Sequence, residues 1–403
     1  MTYSIKYGNQ LEELDAPANT EHISVKPPER KIDRQSFLDE LAAVIKPGIR
    51  SAGIIVSDKT RLCSYDSYLP WVTGLLRKTL PPEAIKIYIA YGTHPRQTDE
   101  ESLNTYGSVY NEYEFIHHDC DDSKMMTLLG QTSRGTGVRI RKDILEHDQL
   151  ILFGAISHHY FAGYGGGRKL LFPGLAGREA IYDNHKLFID FDNMSLSEGC
   201  HSGRLEGNPV AEDLLEIDKM MPEKIIISGI PGAQEDISRL LISSSYDGFR
   251  KACKLYDKYY RTSGDIKYDN IIAGTGGFPK DINFIQSHKS LHNAASFVKD
   301  GGNLFILAEC RDGIGNDSFL KIFQGSRQDI FNKLKNNYSG NGGTALSLIS
   351  KTERINVHML STLDGEVCNL LNIRKLNTEG LRNRIAKLKG STAVISNAAV
   401  LYS

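Results

Sequence analysis

The chain has 403 residues, 48 Lys+Arg against 49 Asp+Glu, with 40% hydrophobic and 24% charged residues; at roughly 100–200 residues per domain that is room for two or three folded domains, and the composition excludes wholesale disorder. A net charge of -1 leaves no electrostatic footprint for nucleic acid or an anionic membrane, the opening MTYSIKYGNQLEELDAP holds no apolar signal segment, and no apolar run approaches the ~20 residues of a membrane helix. Cys63, Cys120, Cys200, Cys253, Cys310 and Cys368 are scattered without CxxC pairing and read as free thiols of a reducing cytoplasm, so the expectation is a soluble, cytoplasmic enzyme with no nucleic-acid or membrane partner.

RQSFLDELAAVIKPG (34–48) puts Phe37, Leu41, Val44 and Ile45 on one helical face and stops at Pro47-Gly48. SAGIIVSD (51–58) reads as a buried strand ending at Asp58. SYLPWVTGLLRKTL (67–80) follows as a helix, and AIKIYIAYGTH (84–94) as a strand running into a Gly-Thr-His turn. EYEFIHH ends in His117 and His118, which alternate across a strand and therefore make a poor metal pair. DQLILFGAISHH (148–159) and KIIISGIPG (224–232) repeat the strand form. The pattern restarts after RTSGDIKYDN (261–270): strand and glycine turn in YDNIIAGTGGFPKD, helix in QSHKSLHNAASFVKDGG, then strands in NLFILAEC (303–310), INVHML (355–360) and TAVISN (391–396). Strands alternating with helices imply βαβ units. The expected fold is α/β: two α/β domains with mainly parallel sheets, residues 1–265 and 266–403, the last residues free to pack back on the first domain.

Ligands of open α/β sheets bind beyond the carboxyl ends of the strands, where four polar clusters fall: SDKTR (57–61), GTH (92–94), SHHYFAGYGGGRK (157–169) and GTGGFPKDINFIQSHK (274–289). A cleft between the domains is the default site. Glycines at 163 and 165–167 allow close backbone approach and offer N–H groups to an anion, although the run matches neither GxGxxG nor a Walker A loop; a plain strand-to-helix connection with solvated Arg168 and Lys169 fits it equally. Arg61 can grip a carboxylate bidentately, or Asp58 can cap a helix and leave Arg61 on the surface. Gln286 and Lys289, three apart on a helix, share a face and can address one anion; a solvated helix start is the alternative.

Taken in order, SDKTR, GTH, HYFAGYGGGRKLLFPGLAG with NH downstream, and GGFPKDINFIQSHK resemble the nickel-dependent lactate racemase family. His159 and Lys169 are ten apart and Lys169 and His185 sixteen apart, as that family requires. The resemblance implies two α/β domains with an active-site cleft between them, and a nickel-pincer mononucleotide cofactor made with the help of maturation proteins. It implies Lys169 as a thioamide anchor, His185 as the protein ligand to nickel, and Gly165, Gly166, Gly167 and Arg168 in the loop that cradles the nucleotide. It further implies His94 and His159 as the two acid/base histidines, and Arg61, Gln286 and Lys289 as the carboxylate clamp, supported by Asp58. The implied reaction inverts C2 of lactate or a related 2-hydroxy acid: histidine takes the hydroxyl proton while the carbon-bound hydrogen leaves as hydride, which spares the enzyme a carbanion beside a carboxylate. Two departures stand out: Ile285 precedes Gln286 where the best-known members carry tyrosine, and AGYGGGRK replaces AGFSGGRK-like forms. The competing readings are a zinc hydrolase using His94, His159 and His185, and a non-catalytic mononucleotide-binding protein.

Overall fold

The computed structural model describes residues 1–401 except 62, 234, 235, 263–265, 317 and 340. They form two compact units: a central one of residues 26–187 and 198–259, and a terminal one of residues 1–25, 188–197 and 260–403.

The central unit is built on a six-stranded sheet ordered Ile237–Ser243, Lys224–Pro231, Gln149–Ala155, Ala52–Ser57, Ile85–Ala90, Glu114–His117. All neighbours are parallel except the first pair. Ala52–Ser57 is buried at every position, as a strand covered on both faces must be, and its unbroken AGIIVS run supplies that cover. Helix Arg34–Val44 starts at an Asp33 cap that accepts the Ser36 N–H. It buries Phe37 and Leu41, while Val44, expected on the same face, is exposed at the helix end. Helix Tyr65–Leu76 buries Tyr65, Tyr68, Leu69, Val72 and Leu76, with Pro70 inside it.

The terminal unit carries a second six-stranded sheet, ordered Arg374–Leu376, Asn356–Leu360, Val298–Leu307, Tyr268–Gly274, Thr392–Ile395, Glu21–His22, parallel throughout. The order reverses direction in each sheet, between Ala52–Ser57 and Gln149–Ala155 in one and between Tyr268–Gly274 and Thr392–Ile395 in the other. Such switch points open a crevice at the strands' carboxyl ends.

Residue 265, where the sequence reading divides the chain, lies outside the described residues. The units differ from that linear division at two places, because residues 1–25 and 188–197 belong with the terminal unit. Ile5, Leu14 and Ala16 are buried in one apolar cluster with Ile272, Phe305, Leu360 and Val394, and Glu21–His22 extends the sheet beside Thr392–Ile395. Residues 188–197 form the small hairpin Ile189–Asp190 with Ser195–Leu196, where the Met194 carbonyl accepts Arg327 Nη2 at 2.8 Å. Neither segment carries a long apolar run that announces a strand. All six cysteines are buried free thiols, and no helix among the described residues is long and apolar enough to cross a membrane.

Candidate active site

Three of the central sheet's strands end at the switch point, and each delivers a side chain singled out from sequence. Ser57 ends the middle strand and is held by two buried tyrosines: its N–H donates to Tyr65 Oη at 2.8 Å, and its carbonyl accepts Tyr106 Oη at 2.8 Å. Asp58 then turns back on itself, Oδ1 accepting the Thr60 N–H at 2.9 Å and the Thr60 hydroxyl at 2.6 Å. It caps no helix, since the next one starts after Ser64. Because Ser57 pairs with Ala90 across the sheet, the Gly-Thr-His turn lies alongside, and His94 Nδ1 donates to Asp58 Oδ2 at 2.6 Å. Gln97 ties the two turns together: Oε1 accepts the Lys59 N–H at 2.9 Å and its own N–H donates to Tyr91 Oη at 3.3 Å. Asp58 is 4% exposed. Burial pushes its carboxyl upward, but the adjoining His94 and Arg61 charges and the Thr60 hydroxyl outweigh this and hold it well below the usual carboxylate range. With an ionised partner on Nδ1–H, a neutral His94 ring keeps its lone pair on Nε2, the form of a general base.

After Ala155 the chain forms a short hairpin, Ser157–His159 paired with Gly163–Gly165. His159 Nδ1 accepts the N–H groups of Phe161 and Ala162 at 3.2 and 3.3 Å, which places the proton of the neutral ring on Nε2. That nitrogen lies 3.2 Å from Lys169 Nζ. Burial first, then the charges of Arg61 and Arg168, pull Lys169 down to about 7, so a share of the amine is uncharged near neutral pH and able to accept an Nε2–H. The two histidines are therefore set in opposite tautomers.

His185 lies in the last turn of helix Arg178–Lys186, with the Phe161 ring edge-on at 5.5 Å between centroids. Burial and the neighbouring Lys169 charge pull it down to about 3, so at neutral pH it is an uncharged imidazole available to a metal. The glycines make their close approaches to the protein itself: a Cβ on Gly165 meets Ser157 Oγ at 2.6 Å, on Gly166 the Ala155 carbonyl oxygen at 2.4 Å, and on Gly167 the Phe249 ring at 2.5 Å. Arg168 turns inward, 4% exposed, donating to the Ala211 carbonyl at 3.0 Å and lying over the Tyr246 and Phe249 rings. In the terminal unit, Asn283 caps helix Phe284–Ala295 by accepting the Gln286 N–H, and Lys289 Nζ donates to Gln286 Oε1 at 2.6 Å; the two do share a face.

His117 bonds Tyr91 and Tyr110, whereas His118 bonds the Ala176 carbonyl, as side chains on opposite strand faces do. Among the described residues, the one set of three or more metal-ligating side chains within ligand reach of each other is Asp119, Cys120 and Asp121. His94, His159 and His185 do not form such a set. The supports Tyr65, Tyr106 and Gln97 went unread in the sequence, where isolated tyrosines and a glutamine carry no spacing signal.

A buried carboxylate on one histidine, a lysine of lowered pKa beside another and an uncharged third imidazole gather at the switch point of an α/β sheet. The lactate racemase N-terminal domain matches residues 12–196 and the lactate racemase C-terminal domain residues 264–340. The lactate racemases of Thermoanaerobacterium thermosaccharolyticum and Lactiplantibacillus plantarum are 32% and 30% identical over 291 and 292 residues, 71% and 72% of this chain and 67% of each relative. The solved lactate racemase apoprotein from Thermoanaerobacterium thermosaccharolyticum aligns with a TM-score of 0.84 at 24% identity, over 100% of this chain and 99% of that one. A Thermotoga maritima protein of solved structure shares the fold at a TM-score of 0.70 and 13% identity, over 94% and 100% of the two chains. The chain belongs to the lactate racemase family and is an isomerase, a racemase.

Proposed function

We infer that the protein racemises a small 2-hydroxy acid, lactate being the first candidate from the names of its relatives, with a nickel-pincer mononucleotide as cofactor. The observation that carries this is the grouping of His94 on the Asp58 carboxylate with His159 3.2 Å from a buried Lys169 of lowered pKa. The donor set fits the cofactor: a Lys169 amine pulled down to about 7 offers the nucleophilic form needed for a thioamide link, and a neutral His185 imidazole suits nickel in a mixed sulfur and nitrogen environment. When bound, the cofactor supplies reversible hydride uptake at the substrate carbon.

The remaining work falls to the chain. Arg61 offers a bidentate fork to the substrate carboxylate, with Gln286 and Lys289 as further substrate ligands. His94 takes the hydroxyl proton on Nε2, and the positive ring that results faces the Asp58 carboxylate, which stabilises it. The 2-oxo acid formed is planar at C2. On the opposite face His159 would serve the 2-oxo oxygen as second proton carrier, returning a proton from its protonated, imidazolium form and being left neutral, after which exchange with water restores both rings. The other enantiomer runs the sequence in reverse.

Intact-mass and nickel analysis of protein co-produced with cofactor-maturation proteins tests the reading, followed by chiral analysis of D- and L-lactate. A mass increase on Lys169 that Lys169→Ala abolishes, stoichiometric nickel and interconversion of the enantiomers are expected. Neither nickel nor adduct in matured protein overturns the cofactor assignment. An adduct with no turnover of lactate moves the substrate to another 2-hydroxy acid.

A further inference from the structure

Residues 197–263 lie between the two segments that match the family, yet helix Tyr246–Tyr260, inside that stretch, underlies the hairpin and glycine loop of the central unit. Phe249 fills the space beneath Gly167, and the neighbouring Tyr246 and Phe249 rings both lie against Arg168. One turn from the helix end, Asp257 places its carboxylate between the two strands of the hairpin. Oδ1 accepts His158 Nε2–H at 2.8 Å and Oδ2 accepts the Tyr164 hydroxyl at 2.5 Å. His158 and Tyr164 are direct cross-strand partners, so one carboxylate bolts both strands to the helix. The His158 side chain is only 4% exposed, and the Tyr256 ring meets it edge-on at 4.8 Å.

The next pair in the same register is His159 with Gly163. Alternation sends His158 and His159 to opposite faces of the hairpin, so the bolt is on the rear face and the acid/base ring on the front. The turn beyond, Tyr160 to Ala162, supplies the two N–H groups that hold His159 Nδ1. We propose that Asp257 is a positioning residue for His159, fixing through His158 and Tyr164 the hairpin whose turn sets the ring's orientation and tautomer. The proposal rests on the assignment of His159 as an acid/base residue. Its chemical content is that a charged acceptor serves two donors at once, which no neutral side chain of that size reproduces.

The test uses the full-length, cofactor-loaded protein and the variants Asp257→Ala, Asp257→Asn and Tyr164→Phe, with His159→Ala as reference. Asp257→Ala is expected to lower kcat by about 10- to 100-fold with KM within about two-fold, since a misplaced acid/base group costs turnover rather than binding. The Lys169 adduct and nickel content stay unchanged. Asp257→Asn keeps an acceptor for Tyr164 and recovers part of the loss, and Tyr164→Phe falls between. Long-range ¹H–¹⁵N correlation of the histidine rings is expected to show the His159 nitrogens shifted in all three variants, a signature that loss of stability elsewhere does not produce. Turnover within about two-fold of the parent and unmoved His159 signals, while His159→Ala is inactive, overturn the proposal. If Asp257→Ala does not fold, Asp257→Asn and Tyr164→Phe decide by the same criteria. If the parent lacks racemase activity the functional reading fails, and the ring signals alone then decide whether Asp257 positions His159.

Discussion

Asp58 serves two neighbours through two oxygens, shaping its own turn with one and orienting His94 with the other. Asp58→Asn keeps the shape and loses the charge that selects the Nδ1–H tautomer, so kcat is expected to fall by about 10²-fold or more, read in a steady-state racemisation assay with little change in cofactor loading. The same carboxyl leaves a mark on stability. Its folded pKa lies below its unfolded one, so its contribution is fully present above the ordinary carboxylate range and fades as pH falls through the folded value. Denaturation midpoints of wild type and Asp58→Asn should therefore converge on acidification. Lys169 has the opposite consequence. A lysine pulled down from 10.5 to about 7 resists folding when charged, a penalty absent above pH ~10.5 that grows as pH falls and levels off below about 7. Without cofactor, Lys169→Met is expected to melt higher than wild type at pH 7, by roughly 2–4 °C per kcal/mol recovered, and the gap should shrink by pH 10; equal midpoints at pH 7 would deny the lysine its strained state.

At the scale of elements, the glycine run shows how a sequence signal can be right in kind and aimed elsewhere. Gly163 has φ +76, and a Cβ there meets the Arg204 carbonyl oxygen at 2.1 Å, whereas Gly135 has φ +89 with nothing within 4 Å. Both substitutions to alanine incur about 1–3 kcal/mol of backbone strain. Gly163→Ala alone adds a backbone clash, so its melting temperature is expected to drop well below that of Gly135→Ala. The chain-order reading placed the buried strands well, because AGIIVS, IKIYIA and QLILFGA are largely apolar, as a covered parallel sheet demands. It missed helices Pro209–Met220 and Tyr246–Tyr260, although Asn208 and Pro209 form a readable start signal for the first. The roles of the second were beyond reach, since Asp257 meets His158 across 99 residues and no local pattern carries such a partner. His94, His159, Lys169 and His185 were legible only as a set, through order and spacing. Asn283 shows the converse, a local signal beside a proposed substrate ligand: Asn283→Ala is expected to cost about 1 kcal/mol as a lost helix cap and, on the proposed role of Gln286, to raise KM, which thermal melts and kinetics on one sample can separate.

At the scale of the whole chain, the terminal unit is assembled from three stretches of sequence. The single boundary read near residue 265 followed the polar segment there, a local cue that is silent on which unit residues 1–25 join. Ile5 and Leu14 are at most 1% exposed within that unit's apolar cluster. A fragment of residues 260–403 is therefore expected to bind a hydrophobic dye and lack a sharp thermal transition, and adding residues 1–25 through a linker should restore much of the cooperativity; a cooperative melt of the bare fragment would show that the segment merely decorates the unit.

The threading also imposes an order on synthesis. Glu21–His22 pairs with Thr392–Ile395, so the first of these strands must wait while the whole stretch between them is made. At ~5–20 residues per second that delay is on the order of twenty to seventy seconds, long enough for the central unit to fold first. Throughout it, the segment that will become Thr2–Tyr7 and Gln10–Asp15 has no core to enter. Its second strand, QLEELD, carries three acidic residues, and like charges on a waiting strand discourage pairing with other nascent chains.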